Sequence, residues 1–379
     1  MSKGMQTAAD LQVTISDTNS GVYQYNTTFG ASSDESNTYP IYYYRGILDG
    51  NLDGTSSTYG SNGDGVTWPN YVRLGDTCWR IVRTTGSGGI KMIYNGPYSG
   101  GSTANSCANT TTYSRIGTGT YGKKGNSGQS SNWIKNINRV GYTYNNSSSV
   151  QDKTTSTNVD TIFGTDSTFS TINTEKSNVK NIIETWFSNN LLAYEQMLEP
   201  NAGYCNERSA YSNQATSTAL TSMPLYSTST SAMYFGPYGR NQNTNKIPSL
   251  TCPSTRGVVD LYTTASAAVG NHQLSYPIAL LTVDEASFAG SGSTTAANGS
   301  TYHVNSFLSA GGGYWTMSPY GRGTNGNAWM FTVASTGRLG YDNVGVTTYG
   351  IRPVVSLKPG VSPESGSGTA VDPWVFTAP

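Results

Sequence analysis

Charge is scarce in this chain of 379 residues. It has 22 Lys and Arg against 22 Asp and Glu, so charged residues make up 12% of the sequence and the formal net charge is zero. Soluble proteins carry about 25% charged residues on average. Because nucleic acids and anionic membranes are usually bound by basic surfaces, we expect neither kind of partner.

Long hydrophobic runs and signal segments are also missing. No run approaches the roughly 20 apolar residues that a membrane span needs. The chain does not begin with a charged and then apolar signal segment. Met5 follows an opening Met-Ser-Lys-Gly, so we expect any membrane attachment to run through a segment upstream of this chain.

The motifs of enzymes and zinc sites are absent too. The sequence contains no G-x-S-x-G elbow, no P-loop and no dinucleotide-binding fingerprint. Its two histidines, His272 and His303, lack the spacing of a zinc site. The carboxylate pair Asp284-Glu285 cannot share a helix face at this spacing and is interpreted as the negative start of a helix. We therefore expect no catalysis, and a secreted glycan-active enzyme is the least favoured function.

Tyrosine and glycine are abundant, with 27 Tyr against 9 Phe and 7 Trp, and with 44 Gly. Tyr offers a large, rigid contact area at low entropic cost, which is typical of binding surfaces. Tyr and Thr also suit β-strands, so a β-rich protein with no special surface would have a similar composition. The two interpretations are compatible.

The apolar pattern predicts an α+β fold with a sheet-dominated core and long polar loops. Short alternating segments predict strands, for example at 71–74 and 90–94. Apolar residues recur at helical spacing over 177–199, where Ser177 can cap the start and Pro200 bounds the end. A buried strand is predicted at 278–283, followed by a short helix at 284–288.

The domain organisation follows from the same pattern. Residues 1–38 are polar and are expected to be a tail or tether, with one strand at 11–15. Residues 39–379 are expected to form a single domain.

One segment resembles half of a calcium loop. Asp49, Asn51 and Asp53 alternate as ligands do in such loops, and Gly54 follows them. The twelfth position, where a bidentate Glu belongs, is Gly60. A polar hairpin loop is therefore favoured over a calcium site, and calcium is the only cofactor with any support in the sequence.

The four cysteines allow two disulfides. Pairing in sequence order would join Cys78 to Cys107 and Cys205 to Cys252, and each bond would contribute about 3–4 kcal/mol in the chain-entropy model. Free buried thiols are the alternative in a reducing compartment. The low charge and abundant Ser, Thr and Asn favour an extracytoplasmic setting.

The segment 314–358 carries most of the functional information. A regular framework of Trp, Pro, Gly and aliphatic residues is interleaved with positions of no common size or polarity. Large aromatic side chains beside Asn, Asp and Arg on tight loops are typical of antibody-like binding surfaces. An irregular, turn-rich sheet edge is the alternative.

Three stretches of this segment resemble a known family: Trp315-Thr-Met-Ser-Pro319, Asn327-Ala-Trp-Met-Phe-Thr-Val333 and Gly350-Ile-Arg-Pro-Val-Val-Ser-Leu357. They look like the C-terminal variable region of target proteins of diversity-generating retroelements, of the kind found as gut-bacterial or phage surface proteins. The resemblance extends to shorter stretches over residues 40–379, including Tyr42-Tyr-Tyr-Arg-Gly46 and Cys205-Asn-Glu-Arg-Ser209.

The resemblance implies a C-type lectin-like fold of the subclass shared with formylglycine-generating enzymes, here with long loop insertions. It also implies that adenine-directed mutagenesis diversifies an exposed face while the scaffold is kept. The insertion at 49–66 is long for this family. No cysteines cluster near the C-terminus as the catalytic ones of the formylglycine-generating relatives do, which again argues against an enzyme. The positions that match the diversified face are Tyr320, Arg322, Asn325, Asn327, Trp329, Thr332, Arg338, Tyr341, Asp342, Asn343, Thr348 and Tyr349.

We therefore expect a ligand-binding receptor or adhesin at the cell surface or on a phage particle, with the binding face within 314–349. Its partner would be a protein or glycan on another cell, a phage or a host surface. A carbohydrate-binding adhesin of fixed specificity and the same fold is the main alternative.

Overall fold

The computed structural model describes residues 22–25, 39, 41–44, 69–109, 112–122, 141–144, 156–158, 164–165, 167–209, 211, 222–224, 233–241, 248–252, 259–292, 307–322 and 328–379. Several predicted features lie outside these residues: the strand at 11–15, the calcium candidates Asp49, Asn51 and Asp53, and the face candidates Asn325 and Asn327.

The described elements are mostly short strands. The strands are β1 (Val22–Tyr25), β2 (Ile41–Tyr44), β3 (Tyr71–Leu74), β4 (Thr77–Thr84), β5 (Ile90–Pro97), β6 (Gly117–Thr118), β7 (Thr143–Tyr144), β8 (Ser156–Asn158), β9 (Glu175–Lys176), β10 (Tyr204–Cys205), β11 (Ser222–Pro224), β12 (Met233–Tyr234), β13 (Leu261–Tyr262), β14 (Ile278–Leu280), β15 (Tyr314–Arg322), β16 (Ala328–Val333), β17 (Leu339–Asn343), β18 (Gly350–Ile351), β19 (Pro353–Leu357) and β20 (Trp374–Phe376). The α-helices are α1 (Phe169–Ile172), α2 (Asn178–Asn190), α3 (Gly236–Asn241) and α4 (Val283–Phe288), and two 3-10 helices span Leu192–Met197 and Phe307–Gly311.

The larger sheet has the strand order β1-β2-β4-β5-β19-β14, and β3 pairs with both β4 and β20. Its pairs are antiparallel except the parallel pair of β3 and β20. Strands β4 and β5 are buried along almost their whole length, which places this sheet in the core. Strand β1 lies within the segment that the sequence assigned to a tail, and it pairs with β2 over four residues. Strands from distant parts of the chain and separate helices confirm the predicted α+β class.

A second sheet, with six strands, carries the segment of functional interest and is called the smaller sheet here. Its order is β17-β16-β15-β18-β6, and β12 pairs with the end of β15. Strands β15, β16 and β17 form two successive antiparallel hairpin pairings. A single residue, Arg352, separates β18 in this sheet from β19 in the larger one. The chain therefore ties the two sheets together directly after the functional segment.

The predicted long helix is present but shorter than expected. Ser177 caps it by accepting a hydrogen bond from the backbone N–H of Lys180, and Val179, Ile183 and Phe187 face the core. The helix ends at Asn190 rather than at residue 199, because Leu191 leaves the helical conformation and a 3-10 helix follows. Continued apolar spacing beyond residue 190 made the prediction too long.

A similar correction applies at 278–288. The strand predicted over 278–283 ends at Leu280 in the structure. The helix predicted over 284–288 begins one residue earlier, at Val283. Thr282 and Glu285 form a capping box, in which each side chain accepts a hydrogen bond from the other residue's backbone N–H. The interpretation of Asp284-Glu285 as a helix start is therefore confirmed.

Both disulfides form in sequence order. Cys78 bonds to Cys107, and Cys205 bonds to Cys252. All four cysteines are thereby used, so the free-thiol alternative is wrong. Paired cysteines are typical of proteins that mature in an oxidising, extracytoplasmic environment. Among the described residues, no helix has the length and apolar character needed to cross a bilayer.

Candidate functional site

The β16–β17 hairpin distributes the predicted face residues over two sides of the sheet. Trp329 pairs with Asn343, and Phe331 pairs with Tyr341. Because side chains alternate along a strand, these four residues lie on one side, while Thr332 and Asp342 lie on the other. The predicted set therefore splits into two groups with different surroundings.

Three predicted residues meet on the first side. The ring of Tyr341 stacks on that of Tyr320, with centroids 3.9 Å apart, and its centroid lies 5.0 Å from that of Trp329. Tyr320 also packs against the buried ring of Phe331, at 4.9 Å. Tyr341 is 44% exposed, Trp329 is half-buried, and Tyr320 is only 5% exposed. Tyr320 thus supports the exposed ring instead of facing solvent.

A second chain segment extends this cluster, and sequence reasoning missed it. Tyr234 and Tyr238 stack on each other at 3.8 Å, and their ring centroids lie 5.6 Å and 5.2 Å from that of Tyr320. Tyr211 packs edge-on to Tyr238 at 5.7 Å. These three rings are half-buried. We call the combined set the aromatic platform: Tyr211, Tyr234, Tyr238, Tyr320, Trp329 and Tyr341.

The sequence does contain a signal for the second segment. The tetrapeptide Pro-Tyr-Gly-Arg occurs twice, at 237–240 and at 319–322. One copy lies in α3 and the other in β15, and their tyrosines are the edge-to-face pair of the platform. The backbone pairing of β12 with β15 brings the two copies together.

Two glycines let α3 lie close to its neighbours. A Cβ on Gly239 would stand 2.1 Å from the Tyr211 ring. A Cβ on Gly236 would stand 2.0 Å from the carboxylate of Glu207. Real Cβ atoms do not approach other atoms this closely, so a larger residue would displace the Tyr211 ring at position 239 or the Glu207 carboxylate at position 236.

Charge pairing also fixes α3. Arg240 donates hydrogen bonds to both carboxylate oxygens of Asp284, at 3.0 Å each, and one to Glu207 at 2.5 Å. Burial raises the pKa of Glu207, and the Arg240 guanidinium acts against this rise. The cavity beside these groups has a volume of about 10 Å³, which is room for about one water. Because Arg240 binds both carboxylates and the cavity cannot hold a substrate, we assign this network a structural role.

The hydroxyls of Tyr234, Tyr238 and Tyr320 stay protonated. Burial is the largest cause that raises the pKa of Tyr320, and neighbouring tyrosines, including a hydrogen bond with Tyr341, add to the rise. The pKa values of Tyr234 and Tyr238 are raised by burial as well. At neutral pH these hydroxyl groups are therefore uncharged and can both donate and accept hydrogen bonds.

The other side of the hairpin holds a second, more enclosed group. Burial raises the pKa of the Tyr349 hydroxyl, and the nearby Asp342 carboxylate adds to the rise. The Tyr349 ring packs on Trp315, with centroids 4.8 Å apart. Thr332 is 1% exposed, whereas Asp342 and Tyr349 are half-buried. Thr332 therefore cannot contact a ligand at an exposed face.

The remaining predicted residues lie at the rim of the hairpin. Arg338 and Thr348 are exposed. The side chain of Asn343 is half-buried and accepts a hydrogen bond from the backbone N–H of Gly345 at 2.9 Å, which holds the turn after β17. The backbone of Arg322 pairs with Ala328 at the end of β15.

The framework residues named in the sequence are structural. Arg352 is fully buried and donates hydrogen bonds to the backbone carbonyl of Leu308 at 2.5 Å and to that of Tyr94 at 3.1 Å. The indole N–H of Trp315 donates to the Gly119 carbonyl at 2.8 Å. These contacts anchor both ends of the functional segment in the core.

No group of three or more His, Cys, Asp and Glu side chains suited to a metal ion occurs in the described part of the chain. No protein-family model matches the chain. No curated protein matches it, and no solved structure matches it.

Proposed function

We propose that this protein is a non-catalytic, ligand-binding surface receptor whose binding face lies within residues 314–349. The observation that carries the proposal is the exposed ring of Tyr341, which is stacked on the buried ring of Tyr320. A large side chain held rigidly at a surface loses little conformational entropy on binding, so its contact area converts efficiently into affinity. The neighbouring Trp329 adds a second aromatic anchor.

We further propose that this face is diversified as in the retroelement target proteins that the sequence resembles. A diversified face needs changeable side chains on a backbone held by unchanging ones. The burial pattern of β17 supports this: Leu339 at its start is buried, whereas Tyr341, two residues further along the same side of the strand, is exposed. The neighbouring strand β16 is buried at every residue except Trp329. Substitutions at the exposed positions would leave the core intact.

The proposed fold is the C-type lectin-like fold that the resemblance implies, and the proposed location is the cell surface or a phage particle. The α+β class, the small sheet formed by 314–351 and the two disulfides are compatible with this proposal. The partner would be a protein or a glycan on another cell, a phage or a host.

Two matched codon libraries test the proposal. One randomises the exposed or half-buried positions Arg338, Tyr341, Asn343 and Thr348, and the other randomises the buried positions Phe331, Val333, Leu339 and Val344. Both are displayed on yeast and treated with protease, so that only folded members remain. We expect most of the first library and few members of the second to survive.

The surviving members of the first library are then selected on an immobilised protein and, separately, on an immobilised polysaccharide. The proposal predicts different binders for each target, with their changes at the exposed positions. Equal loss of folding in the two libraries, or no binders for either target, would contradict it.

A further inference from the structure

We infer that the binding site is composite, with Tyr234 and Tyr238 forming a constant wall beside Tyr341 and Trp329, and that it takes a short, neutral saccharide. This inference rests on the proposed function and assigns it further residues and a ligand class. Tyr234 and Tyr238 lie outside the proposed diversified region 314–349.

The geometry joins the wall to the face. Tyr238 meets Tyr320 edge to face at 5.2 Å, and Tyr320 is the ring on which Tyr341 stacks. Tyr234 likewise meets Tyr320 edge to face, with ring centroids 5.6 Å apart. A ligand resting on the exposed ring of Tyr341 would therefore lie within reach of the wall.

The wall is held by backbone pairing with β15, which does not depend on side-chain identity, and by contacts outside the hairpin. Arg240 binds Asp284 in α4, and the Cys205–Cys252 disulfide flanks Glu207, the other partner of Arg240. None of these groups belongs to the hairpin. Changes in the face would thus leave the wall in place, and every variant would keep the same two tyrosines beside its binding surface.

The charge around the platform argues for a neutral ligand. Arg240 is engaged by two carboxylates, and Asp342 lies on the side of the sheet opposite Tyr341. The described platform thus offers rings and neutral hydroxyls, and this combination suits sugar rings, which present C–H groups to aromatic faces and hydroxyls to polar groups.

The area of the platform argues for a small ligand. Five of its rings are exposed or half-buried. If each presents about a third of the roughly 150–250 Å² of an aromatic side chain, the platform offers about 250–400 Å². A standard protein interface needs about 800 Å² on each partner. The rings alone therefore match an oligosaccharide of a few units better than a folded protein.

Binding of the full chain to a saccharide array, followed by calorimetry, tests the inference. The array carries neutral oligosaccharides of hexose, N-acetylhexosamine and deoxyhexose units beside sialylated and sulfated ones. The variants are Tyr341→Ala, Tyr238→Ala and Tyr238→Phe. The matched control is Tyr113→Ala, which removes a tyrosine with 41% exposure from a different loop. Circular dichroism and thermal unfolding establish that each variant is folded.

We expect binding to at least one neutral saccharide, weakened tenfold or more by Tyr341→Ala and by Tyr238→Ala, and changed less than twofold by Tyr113→Ala. Tyr238→Phe keeps the ring and should fold even if the alanine variant does not. We expect Tyr238→Phe to weaken binding of the saccharide threefold or more, because the hydroxyl is missing.

Three results would overturn the inference. If Tyr341→Ala abolishes binding and neither Tyr238 variant changes it, the composite site is wrong and the proposed function stands. If the chain binds only charged saccharides, or only a protein, through Tyr341, the ligand class is wrong. If neither Tyr341 nor Tyr238 affects binding of a captured ligand, both the inference and the proposed function fail.

Discussion

The ring of Tyr341 lies parallel to that of Tyr320, with a centroid distance of 3.9 Å and an angle of 22° between the planes. One ring is 44% exposed and the other 5%. The buried ring therefore fixes the position and tilt of the exposed one before any ligand arrives. A preorganised aromatic anchor of this kind loses little entropy when it binds.

The first prediction concerns this support. Tyr320→Ala should lower the free energy of unfolding by about 3–5 kcal/mol, as for other large aromatic side chains removed from a core. Tyr320→Phe, which removes only the hydroxyl and keeps the ring in the core, should lower it by about 1 kcal/mol or less. Urea denaturation measures both values. A loss below about 1 kcal/mol for Tyr320→Ala would mean that Tyr320 is not a core residue.

The second prediction concerns the other side of the hairpin. A double-mutant cycle of Asp342→Ala and Tyr349→Phe should give a coupling energy of about 0.5–1.5 kcal/mol, because the Asp342 carboxylate acts on the Tyr349 hydroxyl and raises its pKa. The control cycle pairs Asp342→Ala with Tyr113→Phe, which lies on a separate loop and should show no coupling. Additive effects in the first cycle would show that Asp342 and Tyr349 do not interact.

The third prediction concerns pH. Burial alone would raise the pKa of Glu285, but Lys91 and Arg83, each 2.8 Å from its carboxylate, lower the pKa to about 2. The folded value is thus below the unfolded value of about 4.3. The stabilisation is present above the unfolded pKa and is lost as the pH falls from about 4.3 towards 2.

Glu285→Gln should therefore lower the free energy of unfolding at pH 7 by about 3 kcal/mol or more, because Lys91 and Arg83 lose the negative charge that they share. It should also flatten the decline in stability between pH 4.3 and 2. Asp372→Asn, which removes an exposed carboxylate, controls for the change in net charge. A variant that loses stability with acid as steeply as the wild type would contradict the burial and pairing of Glu285.

The fourth prediction concerns the disulfides. The Cys205–Cys252 bond spans 47 residues, and its removal by a double serine substitution should cost about 4 kcal/mol in the chain-entropy model. The protein should also show no reactive thiol when it is denatured without reductant. Alkylation followed by mass spectrometry checks the thiols, and urea denaturation checks the cost. Any alkylated cysteine in the unreduced protein would show that a pairing is incomplete.

Local features of the fold were predictable from the sequence. The start of α2 at Ser177 and the start of α4 depend on capping residues close in sequence. The two disulfides follow from pairing the four cysteines in sequence order. The end of α2 was not predictable, because apolar spacing continues while the backbone tightens into a 3-10 helix.

The orientation of Tyr320 was not predictable either. The register of β15 against β16 shifts on both sides of Pro319, so the simple alternation of inward and outward side chains fails there. On β16 the side chains alternate regularly, but both sides of the strand are buried. Thr332 is therefore buried, whereas Tyr341 on the neighbouring strand β17 is exposed.

The second half of the platform depends on tertiary structure. Tyr238 and Tyr320 are separated by about eighty residues, and only the β12–β15 pairing brings them together. The repeated Pro-Tyr-Gly-Arg is visible in the sequence and marks both tyrosines. The repeat alone does not show that the two copies lie side by side, because that depends on the strand pairing.

Deep sequencing of the 3′ end of this gene across a natural population of its host tests the central claim most directly. The proposal predicts that amino-acid changes accumulate at adenine-rich codons of exposed or half-buried positions, which include Trp329, Arg338, Tyr341, Asn343 and Thr348. The buried positions Phe331 and Val333 and the stretch 350–357 should remain constant, and Tyr234 and Tyr238 should remain constant with them. A flat or purely synonymous spectrum would contradict a diversified receptor.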